Sequence, residues 1–167
     1  MNRYSSLRRT PFKSRGKPLQ RRAKLRVHSD QDSAVVKERI QALLRACAIA
    51  RDGGCVLRHY AEAGACGGYR NDGQLIYQAE HLVTRSNSVS YADMRNIVCL
   101  CRHHHGHFKP EHSRLYWELI ERHIGPERWA WVRRVETDHR PYRFYLSDWL
   151  KLEAALKAEL AQYQPTE

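Results

Sequence analysis

Cysteine and histidine carry most of the chemistry available to this chain, and they crowd between residues 55 and 107. The five cysteines are Cys47, Cys55, Cys66, Cys99 and Cys101. An odd count beside a run of histidines, with no apolar leader at the N-terminus, points to metal binding in a reducing compartment and away from a disulfide framework. Zinc is the natural ion, since it takes four nitrogen or sulfur ligands in a tetrahedron, commonly as two close pairs. Cys101-Arg102-His103-His104 supplies one pair. Cys55 has no cysteine three residues on, so its mate is Cys66, with His59 as the competitor. Gly67 and Gly68 favour Cys66, because backbone that turns toward a thiolate needs permissive residues. The expected set is Cys55, Cys66, Cys101 and His104, a closed structural zinc site. Cys99 is the alternative to Cys101: two residues apart in an extended stretch, they would face the same side. Cys47 falls on the apolar face of a helix and is read as a core residue.

Between the two pairs lies Ala79-Glu80-His81-Leu82-Val83-Thr84-Arg85-Ser86, followed by Asn96-Ile97-Val98-Cys99-Leu100-Cys101-Arg102-His103-His104-His105. This segment resembles the HNH nuclease motif of the His-Me finger or ββα-metal family, whose usual form is Asp-His-Ile-x-Pro, a variable loop, then Asn-Leu-x-x-Leu-Cys-x-x-Cys-His. Glu80 stands for the usual Asp, Thr84 for the Pro, and His104 for the second knuckle Cys. The resemblance covers about residues 51–109 and is nearest to phage and prophage proteins, including the NinG-type recombination nucleases. It implies a metal-dependent DNA endonuclease acting in the cytoplasm of a bacterial host cell, with a structure-selective nuclease acting on branched recombination intermediates as the runner-up. It also implies roles: His81 as general base, Asn96 orienting His81 through a hydrogen bond to its backbone, and Glu80 with His105 holding one catalytic Mg²⁺ or Mn²⁺. His107 is the rival to His105.

The chemistry suits these residue types. Phosphodiester hydrolysis needs a nucleophile made from water, a base for its proton, and a cation to neutralise charge on the phosphate and leaving oxygen. Imidazole, with an ordinary pKa of ~6.5, is largely neutral at physiological pH and so serves as the base. A carboxylate plus an imidazole, with water, suits Mg²⁺ or Mn²⁺. Arg85, Arg102 and Lys109 flank the motif as candidate phosphate contacts. His103 reads as a neighbour of the ligands, and His112, His123 and His139 as structural or solvated. The reading from another class is a catalytically silent zinc-binding protein that binds DNA or acts as an adaptor.

The elements that position these residues follow from periodicity. Ser33 or Asp30 caps a helix over Ala34–Ile49 whose Val36, Ile40, Leu43, Leu44 and Cys47 share a face, and Asp52-Gly53-Gly54 ends it. Short extended stretches are expected at Gln74–Tyr77 and Asn96–Leu100. Helix resumes from Pro110, stops at Gly125 and restarts at Pro126 through Val135 as a helical hairpin. A last helix from Ser147 to about Tyr163 aligns Trp149, Leu152, Leu156, Leu160 and Tyr163 on one seam, free to pack within the chain or to dimerise. The fold class is α+β: a zinc-stabilised ββα-metal core flanked by helices. The expected organisation is an arm over 1–32, a helix over 33–52, the nuclease core over 53–112 and C-terminal helices over 113–167.

Charge sets the partner. The 167 residues hold 29 Lys and Arg against 18 Asp and Glu, a formal charge of +11, which favours a polyanion. Ten of those bases lie in residues 1–28, which contain no acid. The arm, with Arg8, Arg9, Lys13, Arg15, Lys17, Arg21, Arg22, Lys24 and Arg26 in a loose repeat broken by Pro11 and Pro18, is expected to be disordered alone and to track DNA phosphates. No apolar run is long enough to span a membrane, so no membrane partner is expected.

Overall fold

The computed structural model describes residues 32–138 and 142–163. The basic arm, Asp32 excepted, and His139 lie outside the described residues.

The first helix, α1 (Ser33–Asp52), begins where the Asp32 carboxylate accepts the Ala34 amide at 2.9 Å. Asp32 thus takes the capping place expected of Ser33 or Asp30. It satisfies an amide that the first turn leaves without an intrahelical partner. The helix runs three residues past Ile49 to Asp52, and Gly53, in the Asp52-Gly53-Gly54 stop expected of the sequence, takes a left-handed conformation (φ 62°) and returns its amide to the Ile49 carbonyl at 2.8 Å. Val36, Ile40, Leu44 and Cys47 are fully buried along one face, as their spacing predicts.

Strands β1 (Tyr77–His81) and β2 (Ile97–Cys101) form an antiparallel pair in which Tyr77 faces Cys101, Glu80 faces Val98 and His81 faces Ile97. The first strand therefore starts where the expected stretch at Gln74–Tyr77 ends. Its pairing begins only opposite Cys101, and ahead of it the chain makes a single bridge between Tyr69 and Leu75. β2 is buried on both sides. Val98 and Leu100 join the core under the later helices, while Ile97 and Cys99 join the core under α1, the two-residue alternation of a strand.

After β2 the chain enters a π-helical turn (His104–Phe108), closed by the Lys109 amide on the His104 carbonyl, and then a single turn, α2 (Lys109–Glu111). Next comes α3 (Ser113–Thr137), which is broken at Gly125, where φ 79° and ψ 166° leave the helical region, with Pro126 opening the second half. Trp117 and Trp129 lie 6.0 Å apart by ring centroids. A straight helix would separate residues twelve apart by ~18 Å, so the second half folds back on the first as the expected hairpin.

The last helix, α4 (Leu146–Gln162), packs against α1 within the chain. Trp149 and Leu156 are buried with Ile40, Leu44 and Cys47, and the Cys47 thiol lies 3.4 Å from the Leu156 carbonyl. Each such apolar side chain taken out of water contributes about 1.5–3 kcal/mol, which offsets the entropy of ordering the two helices. Across this interface Arg39 grips the buried Glu153 carboxylate with two hydrogen bonds of 2.9 Å, and Lys157 adds a third contact at 2.8 Å. No helix among the described residues is long and apolar enough to cross a membrane.

Candidate metal centre and adjoining histidine site

The four residues expected to hold zinc converge. The Sγ atoms of Cys55 and Cys101 lie 3.2 Å from His104 Nδ1, that of Cys66 lies 3.8 Å away, and all four donor atoms fall within 4.8 Å of one another. A tetrahedral Zn²⁺ about 2.3 Å from sulfur and 2.0–2.1 Å from nitrogen sets such donors roughly 3.6–3.8 Å apart, so the set fits the ion. The His104 ring is held from behind: Nε2–H donates to the Ala63 carbonyl at 3.0 Å, leaving the Nδ1 lone pair for the centre. Burial keeps this imidazole in its neutral, ligating form. Burial also pushes the Cys55 and Cys66 thiols up, and the charge of Cys101 pushes them further. Thiols packed this tightly lose their protons together only with a cation among them, as a divalent metal would supply.

Local sequence explains the convergence. Two short helical turns, Val56–His59 and Ala61–Ala63, fill the excursion between Cys55 and Cys66 and carry the Ala63 carbonyl to His104. After Cys66, Gly68 (φ 86°) passes so close to β2 that a Cβ there would lie 2.5 Å from the Arg102 Cβ, a contact only glycine permits. The competitors sit elsewhere. His59 is exposed and stacks on His123 at 6.5 Å. Cys99, although two residues from Cys101, belongs to the α1 core, where its amide donates to Asp52 at 2.8 Å.

One residue before His81, at the end of β1, the buried Glu80 meets the turn that follows β2. His105 Nε2 lies 2.9 Å from Glu80 Oε2, and Lys109 Nζ contacts Oε1. Burial pushes the Glu80 carboxyl up, but the hydrogen bonds from His105 and Lys109 outweigh it and hold it below the ordinary carboxylate range. Lys109 is thus engaged with Glu80, whereas Arg85 and Arg102 are exposed as phosphate contacts would be. His103 and His107 stack on each other at 5.7 Å, and neither meets Glu80.

His81 is nine-tenths buried. Its Nε2 lies 3.0 Å from the Tyr91 carbonyl, which can only accept, so Nε2 carries the proton and Nδ1 holds the lone pair. That Nδ1 is buried with no hydrogen-bond partner among the described residues. Burial and the positive charge of Arg85 press the ring toward its neutral form. Asn96 is fully buried and clamps the loop between the strands: its Oδ1 accepts the Val83 amide at 2.6 Å, and its Nδ2 donates to the carbonyls of Val83 (3.2 Å) and Ser90 (3.0 Å). It therefore holds the backbone on either side of the loop, not that of His81 itself, and acts on His81 by fixing the segment that ends in Tyr91.

Two arginines brace the same turn. Arg51 donates to the carbonyls of Met94 and Ile97 at 2.6 Å each, and Arg128 reaches Arg95 at 2.8 Å and Ile97 at 2.6 Å. Burial lowers the Arg128 guanidinium to about 10, which leaves it charged. Sequence reasoning missed these, along with Tyr91 and the Lys109–Glu80 pair. Of these residues the sequence singled out only Lys109, as a phosphate contact flanking the motif, and nothing local pointed to its pairing with Glu80.

No protein-family model matches the chain, and neither does any curated protein or solved structure.

Proposed function

We propose that the chain is a metal-dependent DNA endonuclease, of the phage or prophage type, in which His81 takes the proton of the water that attacks the phosphodiester. The observation that carries this reading is the state of His81. Nε2 is committed to a backbone carbonyl, while Nδ1 keeps a buried lone pair with nothing to accept from. A buried acceptor left without a partner costs about 1–3 kcal/mol; Gln78 Oε1, Ser90 Oγ and Tyr116 OH share that state among the described residues, and His81 is the one of the four that can take up a proton near neutral pH. Glu80 and His105 supply the second element. Their donor atoms lie 2.9 Å apart, close to the ~3.0 Å between neighbouring ligands of an octahedral ion bound at 2.0–2.1 Å. Mg²⁺ or Mn²⁺ held there would neutralise charge on the phosphate and on the leaving oxygen. Arg85, Arg102 and the basic residues of the arm would bind the DNA backbone.

One observation favours the second reading, a silent zinc-stabilised DNA-binding or adaptor protein. Both Glu80 oxygens are already engaged, by His105 and Lys109, so the carboxylate is neutralised without any added cation.

Plasmid nicking with Mg²⁺ or Mn²⁺, with wild type and His81→Ala side by side, separates the two. The nuclease reading expects cleavage by wild type and a loss of about 10²–10⁴-fold in the variant, with DNA affinity unchanged, because a general base acts in the transition state. Equal cleavage by both proteins refutes the role of His81. Absence of cleavage by wild type with either metal favours the silent protein.

A further inference from the structure

A cavity of about 690 Å³ opens between the loop after β1, the start of α1 and the segment leading into α4. Its size is that of a small-ligand site. Its lining combines the cations Lys37, Arg85 and Arg143 with the aromatic rings of Tyr142, Tyr145 and Trp149, and no carboxylate among the described residues lines it. Outside residues 1–28 the chain is close to neutral, with 19 bases against 18 acids, so three cations without an acid form a local concentration of charge. None of the three has an ion-pair partner among the described residues; Lys37 lies 4.9 Å over the Trp149 ring.

The aromatic groups are placed with care. Tyr142 and Tyr145 are 56% and 64% exposed, although rings of this size are normally turned inward. Behind them Phe144 packs on Trp149 at 4.4 Å and on Tyr142 at 5.1 Å, and Tyr91 meets Trp149 at 5.4 Å, so the exposed rings stand on a rigid base. Tyr142 is also tied down by its amide on the Ser88 hydroxyl and by its own hydroxyl on Asp148, both at 3.1 Å. The groove is continuous with the His81 site through Tyr91, whose carbonyl accepts from His81 and whose ring lies 5.7 Å from the imidazole.

We infer that this groove binds an unpaired stretch of nucleic acid, with bases stacked on Tyr142 and Tyr145 and phosphates held by Arg85, Arg143 and Lys37. Cations alone would fit any polyanion, duplex DNA included. Exposed aromatic faces add a requirement that a duplex does not meet, because its base faces are already covered by their neighbours. Stacking is available only to unstacked bases, and it tolerates any sequence. The inference deepens the nuclease reading and rests on it for one consequence: the substrate would present a single-stranded segment beside the bond that is cut. The arm, whose ten cations outnumber its two aromatic rings, Tyr4 and Phe12, would bind both strand forms through their phosphates.

Full-length protein with labelled oligo(dT) of about 20 nucleotides and with a duplex of equal length, at matched salt and without added Mg²⁺ or Mn²⁺, tests the groove directly. Tyr142→Ala is expected to weaken oligo(dT) binding about tenfold or more and to leave duplex binding unchanged, since a base stacked on an aromatic ring is worth roughly 5- to 150-fold in affinity. Arg143→Ala, at an exposed position, is expected to act in the same direction with a smaller factor, and it decides the matter if Tyr142→Ala does not fold. The inference is overturned if both variants keep the wild-type ratio of oligo(dT) to duplex affinity, if they lose both equally, or if they lose only binding to phosphatidylserine vesicles. Cleavage is read separately. A wild-type protein that prefers oligo(dT) through Tyr142 yet cuts no DNA removes the nuclease reading and leaves the groove, whereas cleavage without that preference removes the groove alone.

Discussion

The turn after β2 serves two sites that differ in almost every respect. His104 points to one side, into a shell of three cysteines with its other nitrogen fixed on Ala63. His105 points to the other, toward Glu80. The first cluster is closed: its donors converge, the far nitrogen of His104 is held by the Ala63 carbonyl, and the Cys55, Cys101 and His104 side chains are excluded from water. The second is open, with His105 and Lys109 each about a third exposed and with His81 Nδ1 left unpartnered next in sequence. Closure of the donor set is what a structural ion needs, while a partly exposed Glu80–His105–Lys109 cluster beside an unused lone pair is what the proposed reaction would draw on. Consecutive side chains on a helical turn diverge by about 100°, which lets one short element face both clusters.

The largest expected effect falls on the closed cluster. Zinc bound by such a set contributes apparent free energies of about 10–16 kcal/mol at neutral pH, comparable to or larger than the whole stability of a domain. Purified protein is therefore expected to carry one Zn²⁺ per chain by elemental analysis. Cys101→Ser, or prolonged chelation, is expected to abolish cooperative thermal unfolding. Cys99→Ser, on the other side of β2, is expected to leave zinc content unchanged. A folded protein without zinc would remove the contrast between the two sites altogether.

A smaller effect is expected at the open site, and it separates a cation site from a plain ion pair. Lys109→Ala removes one partner of the buried Glu80. Stripping a buried carboxylate of its partner costs about 3–5 kcal/mol, reduced here to roughly 1–3 because Lys109 is partly solvated and His105 remains. If Glu80 and His105 take a divalent ion, millimolar Mg²⁺ or Mn²⁺ is expected to restore much of that loss, and the melting temperature of the variant should rise with metal more than that of wild type. A variant equally destabilised with and without the ion would leave the Glu80 cluster purely structural.

What could be read from the sequence divides along the same line. The closed cluster was legible because its signals are local in type: a C-x2-H pair, glycines after Cys66, and a surplus of sulfur and imidazole over any disulfide use. The seam of α4 was legible from periodicity, but its partner was not, since nothing in Trp149, Leu156 or Leu160 distinguishes α1 from a second copy. The open site was legible only in its residue types. Which backbone Asn96 would clamp depends on the register of β1 on β2 and on the course of the loop to Tyr91, neither of which a linear pattern encodes. The π-helical turn adds a residue to the ordinary helical spacing, so the meeting of Lys109 with Glu80 was equally hidden. Arg51 and Arg128 come from helices about forty and thirty residues from the carbonyls they hold and left no trace at all.

The smallest expected effect comes from Glu153, a second buried carboxylate held by two cations, and it sharpens the comparison with Glu80. Glu153 is gripped bidentately by Arg39 and singly by Lys157, whereas Glu80 meets one lysine and one imidazole. The hydrogen bonds from Arg39, followed by that from Lys157, hold the Glu153 carboxyl down at about 2. A folded-state value below the ordinary ~4.3 means that the unfolded chain binds the proton more readily. The contribution to stability is therefore complete above about pH 4.3 and is lost as pH falls from there through about 2. Since Arg39 and Lys157 are themselves partly or largely solvated, the contribution is discounted to about 1 kcal/mol. Glu153→Gln is expected to lower the stability measured in urea by about that amount at pH 6 and to reduce the difference from wild type as the pH approaches 2. The readout is the gap between the two proteins, not the stability of either, because other carboxylates titrate in both. A gap that stays constant from pH 6 to pH 2 would mean that Arg39 and Lys157 hold Glu153 by packing alone, and that the Glu80 cluster is the only carboxylate site of the two whose charge matters.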